Sequence, residues 1–514
     1  MEQTTATAVD VPERRPLPGG LAAFLVFLSS GAVLVLETVA LRLVGPYLGV
    51  TLQVTSAVIG VALAAIAYGA WTGGRVADKR DPRTLLPGAL VLAGIATAVT
   101  LPVVRYAGEA LRGGAVSGIL LLTALAVFVP AFLLSAVTPL VVKLQLGDLR
   151  NTGQVVGKLS SVGTLGAVTA TLVTGFILVA ALPTSVILIA LAAALGLAGL
   201  GIGWYLRRTD KLALAGTSRA GAVLAIVGLA GAGLSAAAPT PCDVETAYHC
   251  AAVEADPARD GGRTLFLNSA RHSFVDLDDP TYLEFAYTRW LGAVAGVVKP
   301  GTERIDAVHL GGGGFTMPRY VTATRPGSAN EVYELDGALV ELDERELGVR
   351  QGPDLTTKVG DARMLLGQRA SASADLVIGD AFGHLVVPWH LATREMAADI
   401  RRVVRPEGIY AQNVIDYPPL RFIKAEVATV AAEFAHVALI APERSLAGEQ
   451  GSNFVIVASP APLPMDQLRM RLTEDDDGGA TTIISGAELA AFVDDAKPLT
   501  DEYAPVDQLL ATGG

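Results

Sequence analysis

Residues 21–240 read as a multi-pass α-helical membrane domain, and residues 241–514 as an α/β domain on a mostly parallel, doubly wound sheet. Three observations lead there. The 514-residue chain is 51% hydrophobic and only 17% charged, where an ordinary soluble protein carries about 25% charged residues, and its mean hydropathy is +0.47. Its charge is split: residues 1–240 hold 16 Lys+Arg and 9 Asp+Glu, a net of +7, while residues 241–514 hold 23 and 41, a net of −18. Apolar strands alternate with amphipathic stretches only in the second half. A wholly soluble chain, a disordered chain and a disulfide scaffold are poor fits, and the length suggests more than one domain.

The N-terminal tail, residues 1–20, lacks an apolar h-region, so no signal peptide is expected. A membrane span needs about 20 mostly apolar residues. About seven candidates follow: Leu21–Val44, Val54–Trp71, Leu85–Val103, Val116–Val142, Val162–Leu182, Ser185–Tyr205 and Ala220–Ala238. Pro130 and Pro139 predict a kink or an early end in the fourth. The seventh is the weakest, being mostly Ala, Gly and short aliphatics. Loop charge sets the expected orientation. Thirteen cations fall on one side: Arg14 and Arg15; Arg75, Lys79, Arg80 and Arg83; Lys143, Arg150 and Lys158; Arg207, Arg208, Lys211 and Arg219. Arg42, Arg105 and Arg112 fall on the other. This predicts a cell-membrane protein with a cytoplasmic N-terminus. The acidic half lies outside if the seventh span crosses, and inside if that span only rests on the surface or re-enters.

Within the first span, Glu37 is followed five residues on by Arg42. An ionisable residue at membrane depth marks a functional candidate, but one Glu gives no ion pathway, and a structural role is the simpler reading. Glycine patches at 73–74 and 163–166 point to close helix packing. Cys242 and Cys250, the two cysteines of the chain, read either as a disulfide, matching an outside location, or as two free thiols. Only His249 stands beside them, so no metal site is expected.

In the second half, residues 304–310 read as a strand running into Gly311–Gly314. A second strand ends at Glu334, a third precedes Gly360-Asp361-Ala362, and a fourth, 374–379, stops at Asp380; residues 408–414 form another, and Thr393–Val404 is helical. Ligands of such sheets bind at the carboxyl ends of the strands. There the glycine turn lets backbone approach a ligand closely. Glu334 is placed to accept from a ribose diol, Asp361 from an exocyclic amine, and Asp380 points into the same crevice.

At these residues the chain resembles a known family. The segment from about 242 to 510 resembles the spermidine synthases, the polyamine aminopropyltransferases, and the whole chain resembles their membrane-fused bacterial relatives. The resemblance rests on Leu36–Arg42 and Gly163–Ala167 in the membrane half. In the soluble half it rests on the hairpin Leu265–Ser273, on Asp278–Glu284, the glycine turn, Glu334-Leu335-Asp336, Gly360-Asp361-Ala362, Asp380, Thr393-Arg394-Glu395 and Leu499–Asp507. It implies a small β-domain over 241–290 and a Rossmann-like methyltransferase domain over 291–514. It implies transfer of an aminopropyl group from decarboxylated S-adenosylmethionine, or another alkyl group from S-adenosylmethionine, to an amine. By resemblance Glu334 would hold the ribose, Asp361 and Ala362 the adenine, and Gly311, Gly312 and Gly313 the sulfonium side. Asp380 would be the general base, Tyr282 a substrate-site tyrosine, and His272 stands where the family often has glutamine.

Three departures bear on the substrate. Gly314 and Gly383 replace family aspartates, and residues 440–455 contain no tyrosine. Each ammonium of a diamine is costly to desolvate without a carboxylate partner. The acceptor therefore reads as a putrescine-like amine or as a lipophilic molecule delivered from the lipid bilayer. His384, Trp389, His390 and Tyr417 are candidate pocket residues. A second reading is a non-catalytic membrane transporter or sensor whose soluble domain binds a nucleoside or polyamine. An oxidoreductase is disfavoured because Phe315 and Thr316 break the G-x-G-x-x-G spacing. The family resemblance also implies a homodimer, and the acidic half argues against nucleic acid as a partner.

Overall fold

The computed structural model describes residues 16–49, 52–111, 116–146, 151–210, 231, 233–234, 237–238, 240–268, 270–383, 386–474 and 481–510. Most of the seventh candidate span lies outside the described residues, as do Arg14, Arg15, Arg112, Arg150, Lys211, Arg219 and His384. The chain divides into two compact units, Met1–Pro241 and Cys242–Gly514.

The first unit contains six helices long and apolar enough to cross a membrane. They are α1 (Gly19–Leu48), α2 (Leu52–Lys79), α3 (Pro82–Ala110), α4 (Val116–Gln145), α5 (Thr152–Val173) and α7 (Thr184–Asp210); α5 runs through a π turn at Thr174–Leu178 into the short α6 (Val179–Ala181). The expected early end in the fourth span does not occur, because α4 continues through Pro130 and Pro139. Neighbouring helices tolerate and re-satisfy such breaks inside a bundle. Helix α2 packs on α4, α3 on α7, and α1 on α5. Glycine makes these seams close: a Cβ on Gly73 would stand 2.7 Å from the Ala136 Cα, and one on Gly31 3.1 Å from the Gly166 carbonyl oxygen. Glu37 and Arg42 are both half-buried on α1. At the ends of α2 and α7, Arg75 lies over the Trp71 ring at 3.8 Å and Arg208 over Trp204 at 3.9 Å. Both tryptophans are exposed, the amphipathic pairing found where a helix leaves apolar surroundings.

The second unit begins with an antiparallel sheet of β1 (Val244–Glu245), β2 (Cys250–Ala255), β3 (Gly262–Leu267) and β4 (Ala270–Asp276). An eight-stranded sheet follows in the order β12-β10-β11-β9-β8-β5-β6-β7. Its strands are β5 (Asp306–Leu310), β6 (Ala329–Glu334), β7 (Leu355–Val359), β8 (Ala374–Gly379), β9 (Val404–Asp416), β10 (His436–Pro442), β11 (Ser452–Ser459) and β12 (Thr481–Ser485). The sheet is mixed rather than mostly parallel. Strands β9, β8, β5, β6 and β7 pair in parallel, while β9–β11, β11–β10 and β10–β12 pair antiparallel. Continuous apolar runs such as Phe454–Ala458 look alike in either direction, so composition did not reveal the reversal.

Period-two alternation divides β8 between two cores. Val377 packs with Val308 and the helices Arg394–Val403 and Arg421–Ala431. Leu376 and Ile378 pack with Ala307 and the helix Ala286–Val297 on the other face. The chain leaves β5 towards β6 on one side and returns to β8 on the other, so a topological switch point lies between β5 and β8. Ligands of open α/β sheets bind at such points.

Candidate active site at the strand ends

The turn after β5 opens the site. Gly311 has φ +96°, and a Cβ there would stand 2.5 Å from the Asp380 carbonyl oxygen. Both facts require glycine. Gly313 has φ +48°. Phe315 closes the turn in a left-handed conformation with its ring fully buried, which anchors the start of the helix Thr316–Thr324. Thr316 fixes that helix to β4 by donating its hydroxyl to the Phe274 carbonyl at 2.9 Å.

Glu334, at the end of β6, accepts from the Gly312 amide at 2.8 Å and from the Asp336 amide at 2.9 Å. Burial raises its pKa, against the pull of these amides. Asp361 caps the helix Ala362–Gly367, accepting from the Met364 amide at 3.0 Å, and its other oxygen meets His390 Nε2 at 2.8 Å. Burial raises the Asp361 carboxyl, but the Met364 amide and His390 outweigh it and leave the pKa lowered.

Asp380 follows β8. Burial pushes its pKa up to about 6, against hydrogen bonds from Asn413 and Tyr287. Asn413 donates to Asp380 Oδ1 at 2.9 Å, and Asn453 donates to Asn413 Oδ1 at 3.0 Å. The second bond fixes which end of the Asn413 amide faces the acid. Tyr287, on the helix Ala286–Val297, faces Asp380, and its own pKa is raised by burial and then by that carboxylate.

One cavity brings together His272, Gly311, Gly313, Glu334, Asp361 and Asp380, with Ala362 and His390 also on its wall. Gly312 lines a smaller cavity behind the turn, with Tyr287 and His309. Tyr282 lines neither cavity: its hydroxyl donates to Glu284 at 2.7 Å and its ring lies 3.7 Å from the Arg259 guanidinium. Trp389 and Tyr417 also stand outside both cavities. The two glycines at which the resemblance implies aspartates differ in their surroundings. At Gly314 a Cβ would stand 2.9 Å from Ser273 Cβ, and the Gly314 amide donates to Ser273 Oγ at 3.0 Å, so Ser273 fills the space of a side chain. At Gly383 the nearest atom to a Cβ is 3.9 Å away, and that position is open. Among the described residues, no group of three or more His, Cys, Asp or Glu is arranged to hold a metal ion.

Sequence reasoning missed Tyr287, Asn413, Asn453 and Tyr248. Tyr287 lies in the first turn of the helix Ala286–Val297, and Tyr282 precedes that helix. Asn413 reaches Asp380 through the pairing of β9 with β8, and Asn453 reaches Asn413 through the pairing of β11 with β9, for which local sequence has no signal.

Fold and site together define a class: a Rossmann-like α/β unit with a crevice at its strand ends, in a chain whose described residues also hold six long apolar helices. Within that class the chain is similar to spermidine synthases. A polyamine aminopropyltransferase of Vibrio vulnificus is 29% identical over 133 residues, 25% of this chain and 43% of that protein. The chain thus matches less than half the length of that curated relative. The structure of a probable spermidine synthase from Corynebacterium glutamicum matches with 29% identity and a TM-score of 0.47, covering 50% of this chain and 95% of that one. A spermidine synthase from Thermotoga maritima matches with 14% identity and a TM-score of 0.34, covering 51% and 81%. No family model matches.

Proposed function

We propose that this protein is a membrane-tethered transferase. It moves an aminopropyl or other alkyl group from decarboxylated S-adenosylmethionine or S-adenosylmethionine to an amine. The observation that carries this reading is the gathering of the glycine turn, Glu334, Asp361 and Asp380 on one cavity wall. Attack of an amine on a sulfonium carbon needs alignment and a base, and little else. Asp380, with its pKa near 6, is ionised at neutral pH yet close enough to that range to accept the ammonium proton.

The cavity wall also carries Asp336 and, among the described residues, no Lys or Arg, which favours a cationic donor over an anionic one. Glu334 would exchange its glycine amides for the ribose hydroxyls, and Asp361 would meet the adenine amine beside His390. The open position at Gly383 and the engagement of Tyr282 with Arg259 and Glu284 favour an acceptor less cationic than a diamine, a lipophilic amine among them. Calorimetry of the full chain with methylthioadenosine, S-adenosylmethionine and decarboxylated S-adenosylmethionine tests the reading. Heat with at least one supports it; no heat with any of the three removes it.

A further inference from the structure

A second feature lines the same cavity. Cys242 and Cys250 are joined in a disulfide that closes the loop carrying β1. That strand has only two residues, paired with Ala251 and Cys250, and so short a pairing holds little by itself. Between the cysteines the chain turns tightly, with the Thr246 amide donating to the His249 carbonyl at 2.8 Å. Tyr248 and His249 stand at the tip of this turn and line the cavity with Asp361 and His390. Tyr248 is 50% exposed, an aromatic face turned to the opening rather than spent on the core. Asn268 braces the end of the loop, accepting from the Cys250 amide at 3.2 Å.

The loop is tied to the ligand-facing groups by a continuous chain of hydrogen bonds. The Thr246 hydroxyl accepts from the amides of Tyr248 at 3.1 Å and His249 at 2.8 Å, and donates to the Asp336 carboxylate. A hydroxyl has one proton, and a carboxylate is its stronger acceptor here. The Asp336 amide donates to Glu334, and Glu334 accepts from Gly312 in the turn. Three hydrogen bonds thus run from Thr246 in the disulfide loop to the glycine turn.

We propose that the Cys242–Cys250 loop is a wall of the ligand cavity whose thiol–disulfide state sets ligand affinity through Thr246, Asp336 and Glu334. This rests on the reading of the cavity as a nucleoside site. A dithiol supplies the step: its thiolate attacks one cystine sulfur, and the mixed disulfide resolves to leave Cys242 and Cys250 as thiols and the dithiol as a cyclic disulfide, two electrons and two protons having passed to the protein. Freed of its cross-link, the loop gains conformational freedom, and a ligand must then re-order it on binding.

The experiment is calorimetry of the full chain in detergent with methylthioadenosine, before and after treatment with dithiothreitol. Reduction weakens binding by about tenfold, the size that 1.4 kcal/mol of lost ordering produces. Joint Cys242→Ser and Cys250→Ser substitution gives the weak value without dithiol; Tyr248→Ala weakens binding, and Thr246→Val, which removes the bond to Asp336, abolishes the response to dithiol. Equal affinity before and after verified cleavage overturns the proposal. Hydrogen exchange without ligand, read on peptides covering 244–250 and 335–340, separates the two ideas. Faster exchange in both on reduction, with no ligand heat in any state, removes the nucleoside reading and keeps the coupling. Unchanged exchange at 335–340 removes the coupling.

Discussion

Glycine serves opposite ends in the two units. In the helical unit Gly73 and Gly31 have ordinary helical backbone and are needed because a neighbouring helix stands where a Cβ would be. In the α/β unit Gly311 is needed for its own φ of +96° as well as for the approach of Asp380. The first use builds a seam, and the second leaves the backbone bare at a strand end, where a ligand can come close. Polar side chains follow the same division. The crevice gathers four carboxylates, each in a defined hydrogen-bonding environment, while the helix seams are lined by small residues.

The comparison can be tested by breaking each use in turn. The largest effect belongs to the proposed chemistry: with Asp380 as the proposed base, Asp380→Asn lowers kcat by about 10²–10⁴-fold, the usual worth of a general base, and spares donor binding. Transfer of label from donor to amine measures it. Gly311→Ala comes next. It imposes backbone strain of about 1–3 kcal/mol on top of the collision with Asp380, so the α/β unit melts earlier and methylthioadenosine binding is lost together. Gly73→Val overpacks the α2–α4 seam, a cost of about 1–3 kcal/mol. It lowers the melting temperature in detergent while leaving the affinity for methylthioadenosine unchanged. Gly88→Ala, with nothing within 4 Å of the added atom, is the control and does not destabilise. Equal loss of ligand affinity in Gly73→Val and Gly311→Ala would erase the distinction.

Smaller effects sharpen it. With the Asp380 pKa near 6, kcat/KM falls about tenfold per pH unit below that value, since only the carboxylate accepts a proton. The stability effect has its own sign. The folded pKa lies above the usual 3.8, so the folded state holds an extra proton between about pH 4 and 6, and this contribution is lost as pH rises through that window. The melting-temperature difference between the native chain and Asp380→Asn therefore falls from pH 4 to pH 6 and is flat above. Smallest is Gly383→Asp. The site has room for it, and a carboxylate three residues past Asp380, the proposed base, lowers the KM for a diamine a few-fold, to about one-third; an unchanged KM places the acceptor's second charge elsewhere.

Much of this was legible in the residues. The six described spans, β8 and the helix after Thr393 follow from hydropathy, period and capping, which act over neighbours in the chain. Glu334, Asp361 and Asp380 were legible because each ends an apolar strand, and a parallel sheet brings such ends to one edge. The direction of β10–β12 was not, since a buried strand has the same composition whichever way it runs. Nor was the place of Tyr282, whose partners Arg259 and Glu284 are ordinary surface residue types. The sequence by itself determined which segments are apolar, which turns need glycine and which acids lie at strand ends, because these are local properties. Only the tertiary structure decided that Asn453 orients Asn413 against Asp380, that Tyr287 faces the same acid, that Ser273 takes the space above Gly314, and that Thr246 ties a disulfide loop to Asp336. Each of those joins residues from separate elements, and their meeting is fixed by sheet order and packing, which no local pattern encodes.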